Sequence, residues 1–282
     1  MHPTLFHLGE RVVGTYGVLV ALGYLVGALW LWSQRERMHL TFWQFWLLCY
    51  CILSGAVIGA KAGFFLVEWR DFLADPWGWL RAWRSGWVYW SGFAGTMAAG
   101  LVYQKIFNAC FEPRKRYLPP ADYFAAALAI GHAIGRVGCF AQGCCYGRLT
   151  ELPWGVAFLR PDSSVPAALL GLPLHPVQLY EAAGELAIGL FLIAWALPRI
   201  RAGRLRYGTA FFGYIGAYSI LRFVTELFRA DERGVFLSDW LSPSQWWSLG
   251  GLVFAASAIW LNGAKERDPS GRSFYLEHHA RI

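Results

Sequence analysis

From Val12 to Trp32 the chain carries no charged side chain, and apolar runs of similar length recur as far as residue 262. About 20 predominantly apolar residues in helical form cross the hydrocarbon core of a bilayer, so this pattern specifies an all-α polytopic membrane protein. Composition agrees where it matters: 56% of residues are hydrophobic, 15% are charged and the mean hydropathy is +0.36. The net charge of +7 does not point to nucleic acid, because the cations sit between apolar runs rather than on one amphipathic face. Anionic headgroups and the positive-inside bias account for them. Sixteen tryptophans suit interfacial belts. The start lacks a basic leader and a small-residue cleavage site, so the first span is expected to act as the targeting signal.

About seven transmembrane helices are expected in a single integral membrane domain, residues 1–282. The spans fall at 12–32, about 43–66, about 91–108, from Asp122 into the motif described next, then about 179–198, 208–227 and 246–262. Gly55, Gly59, Ala60 and Gly63 give the second span a face for close helix contact. Lys61, among them, reads either as snorkelling or as facing a polar cavity. Residues 67–90 are too charged to span; Trp69, Trp77, Trp79, Trp83, Trp87 and Trp90 alternate there with Arg70, Arg81 and Arg84, as in a helix lying on the interface. Residues 140–177 suffice for a small extracytoplasmic head, and 264–282 form a polar tail. One set of loops holds Arg35, Arg37, Arg114, Lys115, Arg116, Arg199, Arg201, Arg204, Arg206 and Lys265; the other is mixed in sign, with Glu68, Asp71, Asp75, Glu151, Asp162, Asp231, Glu232 and Asp239. Positive-inside then puts the amino terminus outside and the tail in the cytoplasm. No internal repeat is apparent.

The fourth span meets Arg136 at the depth where a membrane helix should end, and Gly131, Gly135, Gly138, Gly143 and Gly147 punctuate the surrounding residues. Such spacing predicts a helix breaking into glycine-rich backbone, stable only when buried in protein or lining a wet cavity. An arginine there marks a functional site, most naturally for an anion. Cys139, Cys144 and Cys145 share this motif, while Cys49 and Cys51 lie in a span and Cys110 near a cytoplasmic end. A zinc site would want a second Cys/His pair at suitable spacing, and none is present, so no metal and no cofactor are expected. A disulfide within 139–145 stays open, though adjacent Cys144 and Cys145 are poor partners.

Two more constellations stand out. His175-Pro176-Val177-Gln178-Leu179-Tyr180-Glu181 opens the fifth span; proline suits a first helical turn and Glu181 the positive end of the dipole. Tyr218, Arg222, Glu226 and Arg229 recur at i, i+4, i+8 and i+11, sharing one helix face. Such a stripe avoids lipid. It reads either as an Arg222–Glu226 brace or, with Arg136, as a two-arginine clamp for one phosphate. In Ser242-Pro243-Ser244-Gln245, Ser or Gln would cap the seventh span.

From Tyr16-Gly17 to Gln245 these segments resemble the prolipoprotein diacylglyceryl transferases. The likeness is most specific at Gly135-Arg136-Val137-Gly138 with Gly143 and Tyr146-Gly147-Arg148, at His175 to Glu181, and from Arg222 to Arg229. It implies seven spans, a small periplasmic head and a bacterial inner-membrane location. It also implies transfer of the diacylglyceryl group of phosphatidylglycerol to the lipobox cysteine of a prolipoprotein signal peptide, with release of glycerol phosphate. On this reading Arg136 and Arg222 stabilise the phosphate, and His132 or His175 takes the thiol proton. Tyr16, Gly135, Gly138, Cys139, Gly143, Cys144, Gly147, Gln178, Tyr218, Glu226 and Arg229 line the substrate site. Membrane lipids are partners and nucleic acid is not. Three positions depart from the family pattern: Cys139 replaces an asparagine, Cys144 a glutamate, and Trp90 an essential histidine. The departures keep two alternatives open: the same donor with another acceptor, or a non-catalytic lipid-binding or translocating protein. Cys144 or Cys145 as a covalent way-station for the lipid is a further variant.

Overall fold

The computed structural model describes residues 3–9, 11–38, 40–81, 86, 88–110, 118–231 and 240–264. In chain order they form β1 (Thr4–Leu8), β2 (Arg11–Gly14), α1 (Thr15–Ser33), α2 (Phe42–Val67), α3 (Trp69–Ala74), α4 (Pro76–Arg81), α5 (Tyr89–Cys110), α6 (Leu118–Gln142), β3 (Val156–Ala157), β4 (Pro173–Leu174), α7 (Val177–Phe191), α8 (Leu197–Arg201), α9 (Thr209–Glu226) and α10 (Pro243–Ala264). Leu192–Ala196 joins α7 to α8 in π-helical form, so helical backbone runs from Val177 to Arg201. Among the described residues, four stretches are both long and apolar enough to cross a membrane: Thr15–Ser33, Phe42–Val67, Leu118–Gln142 and Val177–Arg201. The helices α5, α9 and α10 have 22, 18 and 22 residues but carry more polar and small side chains. The protein is a helical membrane protein. Its described residues also include an antiparallel β1–β2 hairpin that the apolar pattern gave no hint of.

The chain divides into two compact units, Met1–Leu31 with Ala121–Ile282, and Trp32–Pro120. In the second, α2 and α5 meet through small residues. A Cβ added at Gly59 would lie 2.9 Å from Gly95 Cα and strike the Ser91 carbonyl. One added at Gly55 would lie 2.6 Å from the Gly95 oxygen, so only glycine lets the backbones approach this closely. Thr41 and Gln44 form a capping box at the start of α2. Lys61 is buried, its Nζ 5.3 and 5.4 Å from the ring centroids of Phe64 and Phe65. The expected interfacial helix over 67–90 is instead two short helices, α3 and α4, because Pro76 cannot continue α3 and the Gly78 amide turns to Asp75 Oδ1 at 2.9 Å. Trp83, Arg84 and Trp87 fall outside the described residues, as do Arg114, Lys115, Arg116, Glu232, Asp239, Lys265 and the tail beyond Ala264. Trp90 lies in the first turn of α5, and its side chain is likewise outside the description.

In the first unit, α6 corrects the expected break at Arg136. The helix continues through Gly131, Gly135 and Gly138 to Gln142. These glycines are contact points rather than hinges: a Cβ at Gly23 of α1 would strike the Gly131 carbonyl, and one at Gly138 would lie 3.3 Å from the Tyr16 ring and carbonyl. The backbone first turns left-handed at Gly143, φ +79°. Asp122 of α6 is fully buried and accepts from the amides of Gly208 at 2.6 Å and Phe211 at 2.9 Å, closing the open end of α9. Ser242 and Gln245 cap α10 reciprocally, as their spacing suggests. The head segment pairs β3 with β4 over a small core of Phe158, Val165 and Leu174, against which Phe140 and Tyr146 pack.

Candidate active site

Three neighbouring elements of the first unit aim their charges at one carboxylate. His132 and Arg136 stand four residues apart on α6, and Glu181 and Glu185 stand four apart on α7. That spacing sets each pair on one helix face, and the two faces meet as rungs. On one rung Arg136 Nη2 forms a close ion pair with Glu181 Oε2; on the other His132 Nδ1 lies 2.6 Å from Glu185 Oε1. From α9, Arg222 Nη1 reaches Glu181 Oε1 at 3.1 Å, and from just beyond α9 Arg229 Nη1 reaches the same oxygen at 3.5 Å. Thr225 Oγ1 donates to it at 3.3 Å. Glu181 is 0% exposed, Arg222 4% and Arg229 5%.

The arginines are anchored on their far sides as well. Arg222 Nη2 contacts Glu226 Oε2 at 2.6 Å and donates to Ser244 Oγ of α10 at 3.0 Å. Arg229 grips Asp231 in two bonds of 2.9 and 2.7 Å. Three guanidiniums thus interleave with Glu181, Glu226 and Asp231, three carboxylates. Buried charge on this scale persists only when paired, since each unpaired ion would carry a desolvation penalty of several kcal/mol. Burial disfavours the charged form of Arg229, but the Asp231 bonds and the nearby Cys145 sulfur hold its pKa above the usual arginine value.

Arg229 needs a correction. The shared-face expectation put it on the sixth-span helix, but α9 ends at Glu226. Arg229 sits in extended backbone that bridges to Gly147, flanked by bonds from the Arg148 amide to the Phe228 oxygen and from the Ala230 amide to the Tyr146 oxygen. Arg148 Nε also donates to the Arg229 carbonyl at 2.9 Å. The head segment, not helical periodicity, delivers Arg229 to Glu181. Gly147 belongs to this splice, since a Cβ there would strike the His175 carbonyl.

The remaining predicted residues divide. Tyr218 is buried, with its ring 5.5 Å from His132 and 5.9 Å from Tyr214, whose hydroxyl donates to Glu185 Oε1 at 3.3 Å. A carboxylate only accepts, so with Glu185 ionised the hydrogen of this bond is carried by His132 Nδ1. His175 is placed elsewhere: Nδ1 lies 3.2 Å from the Tyr180 hydroxyl, and the ring is 5.1 Å from Phe228. Tyr180 also receives the Trp154 indole at 2.8 Å, so His175 belongs to an aromatic group under the head. Gln178 is buried and donates to the Cys144 carbonyl at 2.7 Å. Tyr16 packs on Gly138, and a Cβ added at Gly135 would lie 4.0 Å from Val20 Cγ2.

Left-handed backbone at Gly143 (φ +79°) and at Cys145 (φ +62°) folds the chain back on the end of α6. The Cys139, Cys144 and Cys145 sulfurs consequently all lie within 4.8 Å of one another. All are free thiols. Arg136 Nη1 lies 3.9 Å from the Cys139 sulfur, and Arg229 is within hydrogen-bonding reach of Cys145. Hydrogen bonds from Cys139 and Cys144, with the charges of Arg229 and Arg136, hold the Cys145 thiol well below its ordinary range. Hydrogen bonding to Cys139 and Cys145, with burial, pushes Cys144 up.

Residues that sequence reading left out are mostly the counter-ions. In sequence Glu181 suggests a dipole partner, and no linear pattern marks Glu185, Thr225, Asp231 or Ser244 as site residues. The signal available was charge balance: two arginines at membrane depth require buried anions, and Glu181 and Glu185 stand within the fifth span.

The sequence profile of the family described as prolipoprotein diacylglyceryl transferase matches residues 3–261. Among curated proteins, the chain is 30% identical over 271 residues to the phosphatidylglycerol–prolipoprotein diacylglyceryl transferase of Legionella pneumophila, covering 94% of this chain and 97% of that protein. The protein of the same name from Cupriavidus metallidurans is 30% identical over 267 residues, covering 91% and 92%. That of Coxiella burnetii is 28% identical over 263 residues, covering 92% and 94%.

Proposed function

The chain belongs to the prolipoprotein diacylglyceryl transferase family, and from that premise we propose that it moves the diacylglyceryl group of phosphatidylglycerol onto a cysteine thiol of a prolipoprotein. The observation that carries this reading is the convergence of Arg136, Arg222 and Arg229 on the two oxygens of Glu181. Glu181 holds these guanidiniums turned to one region, beside which a headgroup phosphate would bind. Guanidiniums already turned to one point bind such an oxyanion without reorganising.

The chemistry follows from where charge develops. When the carbon–oxygen bond of the glyceryl group breaks, the bridging electron pair stays on the phosphate, which leaves as a dianionic glycerol phosphate. Arg136 and Arg222 stabilise that added charge; one such donor is worth roughly 3–4 kcal/mol in a dry site. The acceptor sulfur attacks as a thiolate. His132 is positioned to take its proton at Nε2, with Nδ1 held by Glu185. Tyr218 and Tyr16 bound the site, Glu226 orients Arg222, and Gln178 fixes the Cys144 backbone. His175 acts through Tyr180, as a support for the head. The membrane arrangement that suits this role has seven spans in one integral domain of an inner membrane, with the head at 140–177 and the amino terminus outside. The acceptor is then the lipobox cysteine of a signal peptide.

Full-length protein in phosphatidylglycerol vesicles, incubated with a lipobox peptide, tests the reading. The expected result is a peptide mass gain of one diacylglyceryl group with matching release of glycerol phosphate. Release without a peptide mass gain points to another acceptor, and bound phospholipid with no release to a non-catalytic protein.

A further inference from the structure

We propose that Cys139, Cys144 and Cys145 form a three-thiolate site for a zinc-class divalent ion whose fourth coordination position receives the acceptor thiol; the second half of this proposal rests on the transferase reading above. The three sulfurs come from α6 and from a turn beyond it, yet all lie within 4.8 Å of one another. A tetrahedral ion bound at about 2.3 Å sets its sulfurs about 3.8 Å apart, which small side-chain rotations reach. Neighbouring residues in extended backbone point to opposite faces. The left-handed conformation at Cys145, with φ +62°, removes that obstacle for Cys144 and Cys145.

A disulfide explains the cluster less well. It would join two of the sulfurs and leave a third thiol against it, and the adjacent pair is poorly placed to close. The surroundings instead favour an anionic ligand set. Three thiolates around a divalent ion carry one net negative charge, and Arg136 and Arg229 both border the sulfurs. The Cys144 backbone is fixed by buried Gln178 at 2.7 Å, as ligand-bearing loops require. Three protein ligands with an open fourth position are the arrangement of catalytic rather than structural zinc.

The chemical consequence is direct. A thiol that enters the fourth position loses its proton outright, to water. The metal-held sulfur forms a bond to the terminal glyceryl carbon as that carbon's bond to the phosphate oxygen breaks. The electron pair leaves on glycerol phosphate, and the thioether product, a weaker ligand, departs. No oxidant or reductant is needed.

The test uses full-length protein purified in detergent, reduced and stripped of metal, then titrated with Co2+. One equivalent should bind, with the intense sulfur-to-cobalt absorption of a tetrahedral thiolate site, and Zn2+ should bleach it. C139S, C144S and C145S should each weaken Co2+ binding by at least about tenfold, while a C49S/C51S/C110S triple variant should bind as the parent does. Absence of the band, or its survival at parental affinity in any one of the three single variants, overturns the site. Adding a lipobox peptide should intensify the band and its Cys→Ser counterpart should not; no difference between them overturns the fourth-position assignment. These readings need no phospholipid, so a metal site in a protein that transfers nothing would sink the transferase reading alone. Undiminished transfer by metal-free protein would sink the role of the metal alone.

Discussion

The pair α2–α5 and the trio α6–α7–α9 solve the same problem, close helix contact in an apolar medium, by opposite means. The first uses glycine: Gly55, Gly59 and Gly95 bring two backbones together. The second uses charge: Arg136, Arg222 and Arg229 are held by Glu181, Glu226 and Asp231. Dispersion between small residues needs no polar group and is sufficient for a scaffold. Ion pairs carry a large desolvation penalty and stabilise less than a well-packed apolar contact of the same size. A cluster retained on those terms makes sense as a site for an anionic ligand.

Substitutions that strike each device in turn sharpen the contrast. Glu181→Gln should have the largest effect, because it leaves three guanidiniums facing a neutral amide; a loss of roughly 3–5 kcal/mol is expected, read as a fall in thermal unfolding temperature in detergent. Adding phosphatidylglycerol should restore more of that temperature in the variant than in the parent. On the other side, Gly95→Leu should destabilise by about 1–3 kcal/mol through overpacking, with no such rescue by lipid. Equal rescue of both variants would break the distinction. Asp122→Ala should cost about 1–2 kcal/mol, since it opens the α9 terminus without touching an arginine. The exposed Arg160–Asp162 pair, which holds the Asp162 carboxyl below its usual range, should matter least; Asp162→Asn should leave both unfolding temperature and transfer unchanged.

Much of this was legible in the sequence, and the failures share a cause. Helix positions followed from apolar run length, and the caps at Ser242 and Gln245 from spacing. Arg136 and Arg222 stood out because lone cations at membrane depth demand a reason. The misreadings arose where a residue's meaning depended on its neighbour in space. Gly131, Gly135 and Gly138 look like helix breakers one at a time, yet their cost of about 1 kcal/mol each is offset where α1 packs directly on the backbone of α6. Arg229 fits a helix face by spacing, but α9 ends at Glu226 and Arg229 pairs with Gly147 instead. Glu181 as the hub, and the meeting of Cys139 with Cys144 and Cys145, depend on left-handed backbone and antiparallel rungs that no linear pattern displays.

The most direct test of the central claim compares Arg136→Ala and Arg222→Ala with the parent in phosphatidylglycerol vesicles, measuring glycerol phosphate release and peptide mass gain together. Each variant is expected to lose about 100-fold or more in transfer, with helix content unchanged by circular dichroism. Parental turnover in either variant would contradict the two-arginine phosphate site.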